Sequence, residues 1–258
     1  MRIWWQSSVT LGIDPTWQPY QEALAKHVQG VARAGTEVEV HGVKVGDVLL
    51  ERSNYVKYLN EGQIIDNAIT AEREGYDAFC VGCTLDTGLL RVKEVVDIPV
   101  AFLSECCFHL ACILGGKFSL LAYNKNVLLD LTEKIKQYGL EQQFVPCDRF
   151  NLSITDLPKG FSNPAPIVDA VKQASLRAIE QGAGILIPSC NILNMVLVNC
   201  GCRQIDGVSI LDTAGALVKM TELMVDLKQI GISRSKAGFY TSLSKQELER
   251  VRKVYGIK

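Results

Sequence analysis

The sequence predicts an α/β protein of two pseudosymmetric, doubly wound parallel-sheet lobes with the active site in the cleft between them. Short β-rich runs alternate with longer helical patterns along the whole chain, as successive βαβ units require. AEREGYDAFCVGC (residues 71–83) and AIEQGAGILIPSC (residues 178–190) align without a gap at an offset of 107 residues, so the chain reads as a duplication. In each copy a helix ends at glycine (Gly75, Gly182), an apolar strand follows, and a cysteine (Cys83, Cys190) stands where the strand gives way to a loop.

Taken in order, residues 1–5 read as a strand, 17–34 as a helix, 36–41 as a strand and 54–74 as a long helix. Residues 76–81 and 99–103 are apolar runs of buried-strand length. A helix follows Leu103, then a strand at 118–122, a helix at 126–138, a short strand at 143–145 and a helix at 166–181. Residues 185–187 form a strand that enters a helix after Cys190, and 208–210 a last strand before the helix 213–231. A basic amphipathic tail carries Leu248, Val251 and Val254 at helical spacing and is expected to pack on its own lobe or on a neighbouring subunit. The crossings between lobes are placed near 103–105 and 211–213. Residues 1–103 with 211–258 then form the lobe with the first cysteine, and 104–210 the lobe with the second.

At 258 residues and 48% hydrophobic, the chain can bury a large core, which sets it apart from disordered and collagen-like classes. Lys+Arg number 27 against 28 Asp+Glu, a balance that leaves no electrostatic footprint for nucleic acid or an anionic membrane. The start MRIWWQSSVT turns polar after five residues, and no stretch reaches the ~18 apolar residues of a membrane span, so a cytoplasmic protein is expected. Nine cysteines, an odd number in a chain too large to need staples, are expected to be reduced. Cys80/Cys83 and Cys200/Cys202 lack a histidine pair at zinc-site spacing, so neither metal nor cofactor is expected.

Two thiols facing each other across a cleft are suited to acid–base work near neutral pH, because an unperturbed thiol titrates near 8.5 and its surroundings can tune it. A thiolate can take the proton from a carbon acid on one face while the opposed thiol reprotonates the other face. The loop after Cys83, with Thr84, and the loop after Cys190, with Asn191, can supply backbone N–H and side-chain donors to a developing enolate. The other seven cysteines read as packing residues. Tyr123 and Asn124 sit at another strand end, where they can hold a substrate oxygen. Thr213 opens the last helix beside free N–H groups. Glu105 and His109, four apart, can orient a thiol, contact substrate or form a local pair, and Asp86 reads as a cap for the helix after Cys83.

At these residues the sequence resembles the aspartate/glutamate/hydantoin racemase superfamily, most closely its hydantoin and allantoin racemase branch. CTLDTGLL (83–90) is similar to that branch's Cys-x-x-Asp-x-Gly-Leu segment, and VVDIPVAFLSECCFHLACILGGKFSLLAYN (95–124) to its following strand, helix and Gly-Gly strand. PSCNIL (188–193) occupies the second-cysteine position, and the segment from Ile210 to Tyr240 resembles the closing helix and tail. The resemblance implies a cofactor-independent two-base racemase or epimerase using Cys83 and Cys190. It also implies a small carbonyl substrate such as a hydantoin-like cyclic ureide, and a homo-oligomer. The family's Asn-rich loop after the first strand appears here as Gln6-Ser7-Ser8, which makes Gln6 and Ser8 substrate-binding candidates. The Cys-Asn-Thr segment of the amino-acid racemases is missing, which disfavours aspartate and glutamate. Relatives using the same cysteines for isomerisation of maleate type, decarboxylation or cyclic-amide hydrolysis keep those activities open. So does a two-lobed binding module, which would not need reactive thiols. Trp4 and Trp5 on the first strand are core residues or contacts for a flat substrate.

Overall fold

The computed structural model describes residues 1–235 and 242–257. Residues 236–240 of the closing motif, and Lys258 of the tail, lie outside the described residues. The first sheet holds β1 (Arg2–Gln6), β2 (Glu37–His41), β3 (Ala78–Val81) and β4 (Val100–Phe102) in the order β2-β1-β3-β4, all parallel. The second holds β5 (Phe118–Leu121), β6 (Ile185–Pro188), β7 (Gln204–Ile205) and β8 (Val208–Ile210) in the order β5-β6-β8-β7. β3, β5 and β6 are buried at every position, as parallel strands covered on both faces must be, which is why they read as unbroken apolar runs.

The 107-residue offset is visible in the hydrogen bonds. α2 (Asn54–Arg73) and α6 (Ala165–Glu180) precede the two matched strands. Both connections turn through a glycine in the left-handed region, Gly75 at φ 78° and Gly182 at φ 92°. Tyr76 N–H closes on Ala71 C=O at 3.1 Å and Ala183 N–H on Ala178 C=O at 3.0 Å, the same helix-ending bond in each copy. Beyond the strands, Gly82 N–H bonds to Gln6 C=O in one sheet and Ser189 N–H to Leu121 C=O in the other.

Residues 143–145 do not form a strand. They touch β5 through a single parallel bridge, Phe118 to Phe144, in the place that β2 occupies beside β1. One parallel edge bridge satisfies too few backbone groups to extend into a ladder. The antiparallel β7 was not anticipated, although Asp206-Gly207, at φ 45° and 80°, is the two-residue turn that a tight hairpin favours.

α1 (Gln18–Val31) packs on β2 and on α8 (Thr213–Gln229), while α3 (Leu89–Val95) lies against α2 and β4. α4 (Leu103–Gly115) leaves β4 and packs on β5 and β6 of the second sheet, whereas α8 leaves the second sheet and packs on β3 and β4 of the first. These two exchanged helices join the lobes into one apolar core that runs from Ile3 and Trp5 through Phe108 to Leu120 and Val196. α5 (Lys125–Gln137) follows β5 and α7 (Asn191–Asn199) follows β6. The tail helix α9 (Lys245–Val254) opens with a Ser244/Glu247 capping box and is tied to α2 by Arg252 to Asp66 at 2.5 Å, so it sits on the first lobe. No helix among the described residues is long and apolar enough to cross a membrane.

Gly82, which leads into Cys83, has no room for a side chain, since a Cβ there would fall 2.3 Å from Cζ2 of the fully buried Trp5. Gly82→Ala is expected to cost about 1–3 kcal/mol, read as a lower urea midpoint at unchanged slope; an unchanged midpoint would show that the indole can move aside.

Candidate active site

The carboxyl ends of β3 and β6 deliver Gly82-Cys83 and Ser189-Cys190 to the walls of one cavity of about 350 Å³. Thr84 Oγ1 donates to the carbonyl of Ser189 at 2.8 Å and is buried, so the residue after one thiol is fastened to the residue before the other. Cys190 is itself the N-cap of α7, its Sγ accepting the N–H of Leu193 at 3.3 Å. Cys83 opens a loop closed by Asp86 N–H on its carbonyl at 3.2 Å, and α3 begins only after Gly88.

Burial dominates both thiols. It pushes Cys190 up to about 12 against the N–H groups of Leu193 and Ile192, with Cys83 and Glu51 pushing further in the same direction. It also raises Cys83, opposed by the Ser8 hydroxyl and the N–H of Leu85. Both cysteines are therefore thiols in the open cleft, and a thiolate forms at a cost. All nine cysteines are free.

Of the residues singled out in the sequence, Ser8, Thr84, Tyr123 and Asn191 share this cavity with Cys83 and Cys190. Asn191 donates through Nδ2 to the hydroxyl of Tyr20 at 3.1 Å, while its own Oδ1 and the Oγ of Ser189, both buried, have no protein partner. Buried polar atoms without partners are rare in native proteins, and here two border one cleft. The lining includes Asp14, Asp47 and Glu51 but no Lys, Arg or His among the described residues. Val9, Ile13, Trp17, Val48, Leu50, Leu85, Val127, Ile154 and Ile192 supply its apolar part.

Three sequence candidates are placed elsewhere. Gln6 is wholly buried, its Oε1 accepting from Trp4 Nε1 at 3.0 Å and Asn67 Nδ2 at 2.9 Å, so its amide serves the packing of α2 on β1. Asn124 caps α5 through Val127 N–H and reaches the cleft only by donating to Glu51 Oε2 at 3.2 Å. Thr213 is buried at the start of α8, its N–H bonded to Asn194 Oδ1 at 3.0 Å. Trp4 stacks on His41 with ring centroids 3.5 Å apart and Trp5 fills the core, and neither reaches the cavity.

Glu105 and His109 line a different, larger cavity of about 770 Å³ that contains neither thiol. Glu105 pairs there with Lys93 at 2.5 Å, and His109 Nδ1 lies 2.7 Å from its carbonyl. Asp86 is a cap, but of α4 rather than α3: its Oδ1 accepts from Ser104 N–H at 2.9 Å, and its Oδ2 from Glu105 N–H at 2.8 Å and Tyr138 hydroxyl at 2.5 Å. Its φ of 45° turns the chain so that this reach is possible. Burial pushes its carboxyl up to about 7. Asp86→Ala strands three donors and is expected to cost about 1–3 kcal/mol, measured by denaturant unfolding. Because the folded value lies above the unfolded one, the contribution of the protonated side chain is complete below about pH 4 and drains away as pH rises towards 7. The gap between wild type and Asp86→Ala should narrow over that interval, and a gap independent of pH would contradict the assignment.

Tyr20, Ser7, Ser189 and Glu51 line the cleft without having been singled out in the sequence. Ser7 and Ser189 adjoin named candidates and follow from strand-end position; Tyr20 on α1 and Glu51 at the end of the short 3-10 helix Val48–Glu51 carry no local signal.

Two parallel-sheet lobes that each contribute a thiol-bearing loop to one cleft define a class of pseudosymmetric α/β enzymes. The family model described as Asp/Glu/Hydantoin racemase matches residues 18–221, and the chain belongs to that family. A hydantoin racemase of Pseudomonas sp. (strain NS671) is 27% identical over 220 residues, covering 85% of each chain. The allantoin racemase of Klebsiella pneumoniae superposes with a TM-score of 0.78 at 21% identity, over 95% of this chain and 94% of that one. The allantoin racemase of Pseudomonas fluorescens gives 0.76 at 24% identity, over 94% and 97%.

Proposed function

We propose that this chain racemises a small, uncharged carbonyl compound of hydantoin-like cyclic ureide type by proton transfer between Cys83 and Cys190. The observation that carries the reading is the joint lining of one cleft by both thiols with no cationic side chain among the described lining residues. A carboxylate substrate such as aspartate, maleate or a malonate would enter a cavity that already holds Glu51 and is rimmed by Asp14 and Asp47, with no counter-charge among the described lining residues to offset its desolvation. A neutral ring of alternating N–H and C=O groups instead meets Asn191 Oδ1, Ser189 Oγ and the Tyr20 hydroxyl, which hydrogen-bond without charge.

The reaction then runs as follows. One cysteine, as thiolate, takes the proton from the carbon next to the carbonyl. The electron pair moves into the carbonyl to give an enolate, held by N–H groups of the cysteine loops. The opposed thiol donates its proton to the other face, leaving the inverted centre and a thiolate on the other side. Thr84, bridging the loops, fixes the separation on which both transfers depend.

The test is incubation in D₂O with optically pure hydantoins, allantoin, maleate and an arylmalonate. Racemisation with one deuterium entering at the stereocentre is the expected result. An isomerised, decarboxylated or ring-opened product without exchange would assign the cysteines to nucleophilic or one-sided chemistry instead.

A further inference from the structure

Glu51 is an ionisable group of the cleft that the proton transfer does not use. Its Oε2 accepts from the Tyr123 hydroxyl at 3.0 Å and from Asn124 Nδ2 at 3.2 Å, so two neutral donors from the second lobe hold the carboxylate in position without balancing its charge. Lys57, which lines the neighbouring larger cavity, is taken by Asp130 at 2.7 Å. Asp14 and Asp47 add negative charge on the same lining, each occupied in capping its own short helix through Thr16 N–H and Leu49 N–H. Beside this acidic side run Ile13, Val48, Leu50 and Val127, an apolar wall suited to a methylene stem. Glu51 is half-buried, and the described lining offers its carboxylate no partner cation.

We propose that Glu51 determines specificity by selecting substrates whose ring substituent is an aliphatic stem ending in a cation, an ammonium or guanidinium group. The inference rests on the hydantoin-like reading of the site and names the substituent that reading leaves open. The stem lies on the apolar wall and the cation meets the free side of the Glu51 carboxylate, while the ring sits between the thiols. The effect extends beyond binding, because the negative charge of Glu51 opposes formation of a second negative charge on Cys190. A cationic substituent cancels that opposition, so the matching substrate also eases thiolate formation.

The experiment compares kcat/KM for the lysine-derived hydantoin with that for its neutral norleucine-derived counterpart and for the glutamate-derived hydantoin, in wild type, Glu51→Gln and Glu51→Lys. Wild type should prefer the lysine-derived ring over the norleucine-derived ring by about tenfold or more, as a charge-assisted hydrogen bond supports. Glu51→Gln should bring that ratio close to one, and Glu51→Lys should shift preference to the glutamate-derived ring. A wild-type ratio of one or below, or a ratio that survives Glu51→Gln, overturns the proposal. A fall in thermal stability with the ratio unmoved would make Glu51 only a clasp between the lobes and overturns it equally. If wild type exchanges no hydantoin proton at all, the functional reading fails separately. Selectivity is then judged by calorimetric binding of the same two hydantoins: a preference for the lysine-derived ring lost in Glu51→Gln upholds the role of Glu51, and no preference, or no binding, ends it.

Discussion

Serine in place of either Cys83 or Cys190 is expected to reduce racemisation by about 10²–10⁴-fold, the range that a positioned acid or base contributes. The two losses should be of similar size, because inversion needs a base on one face and an acid on the other, whichever enantiomer is supplied. The double variant should be little worse than either single one, since residues that act as a unit do not contribute additively. Serine keeps the shape and the hydrogen bonds, including acceptance of Leu193 N–H at position 190, so the fold is expected to persist and the loss to reflect proton transfer alone. Chiral chromatography of both enantiomers, with circular dichroism of each variant, checks this. Retained racemisation in one variant would show that a single thiol works with another donor; Tyr20, whose phenol burial holds well above its ordinary range, is one candidate on the cleft wall.

How much of this was readable from the sequence depends on whether the information is local. The matched segments at 71–83 and 178–190 encode a helix end at glycine, a buried strand and a strand-end cysteine, and the structure repeats all three because each is set by neighbours along the chain. Thr84 and Asn191 followed from their adjacency to those cysteines. Gln6 could not be read correctly, because strand alternation gives no sign that Trp4 Nε1 and Asn67 Nδ2, one on the same strand and one on α2, compete for its amide. Glu51 and Tyr20 were invisible for the converse reason. They reach the cleft through long-range contacts, Glu51 to Tyr123 and Tyr20 to Asn191, that no periodicity records. The segment 143–145 failed as a strand by the same logic: its composition suits an edge, and only the geometry of β5 decides how many residues can pair.

The rate of racemisation is expected to climb by about tenfold per pH unit from neutrality towards pH 9, the slope of a minor ionised form below its pKa. The sign follows from burial. Both thiols are held above their ordinary value, Cys190 up to about 12, so at neutral pH the productive pair of one thiolate and one thiol is scarce, and each added pH unit multiplies it. The same burial sets an upper limit on the climb. Cys80, Cys106, Cys107 and Cys147 are also raised by desolvation, and a group whose folded pKa lies above its unfolded one stabilises the fold fully below the unfolded value, near 8.5–9, and progressively less above it. Activity and stability should therefore move in opposite directions as pH rises from 8 to 10, with the melting temperature falling while kcat/KM still increases. Paired pH profiles of kcat/KM and Tm on one preparation, with the ionisation of the substrate ring measured separately, read both effects. A kcat/KM that is already flat below pH 7 would mean that the thiolate is formed before substrate arrives. The N–H groups at the start of α7 would then outweigh burial at Cys190, and that cysteine rather than Cys83 would be the resting base.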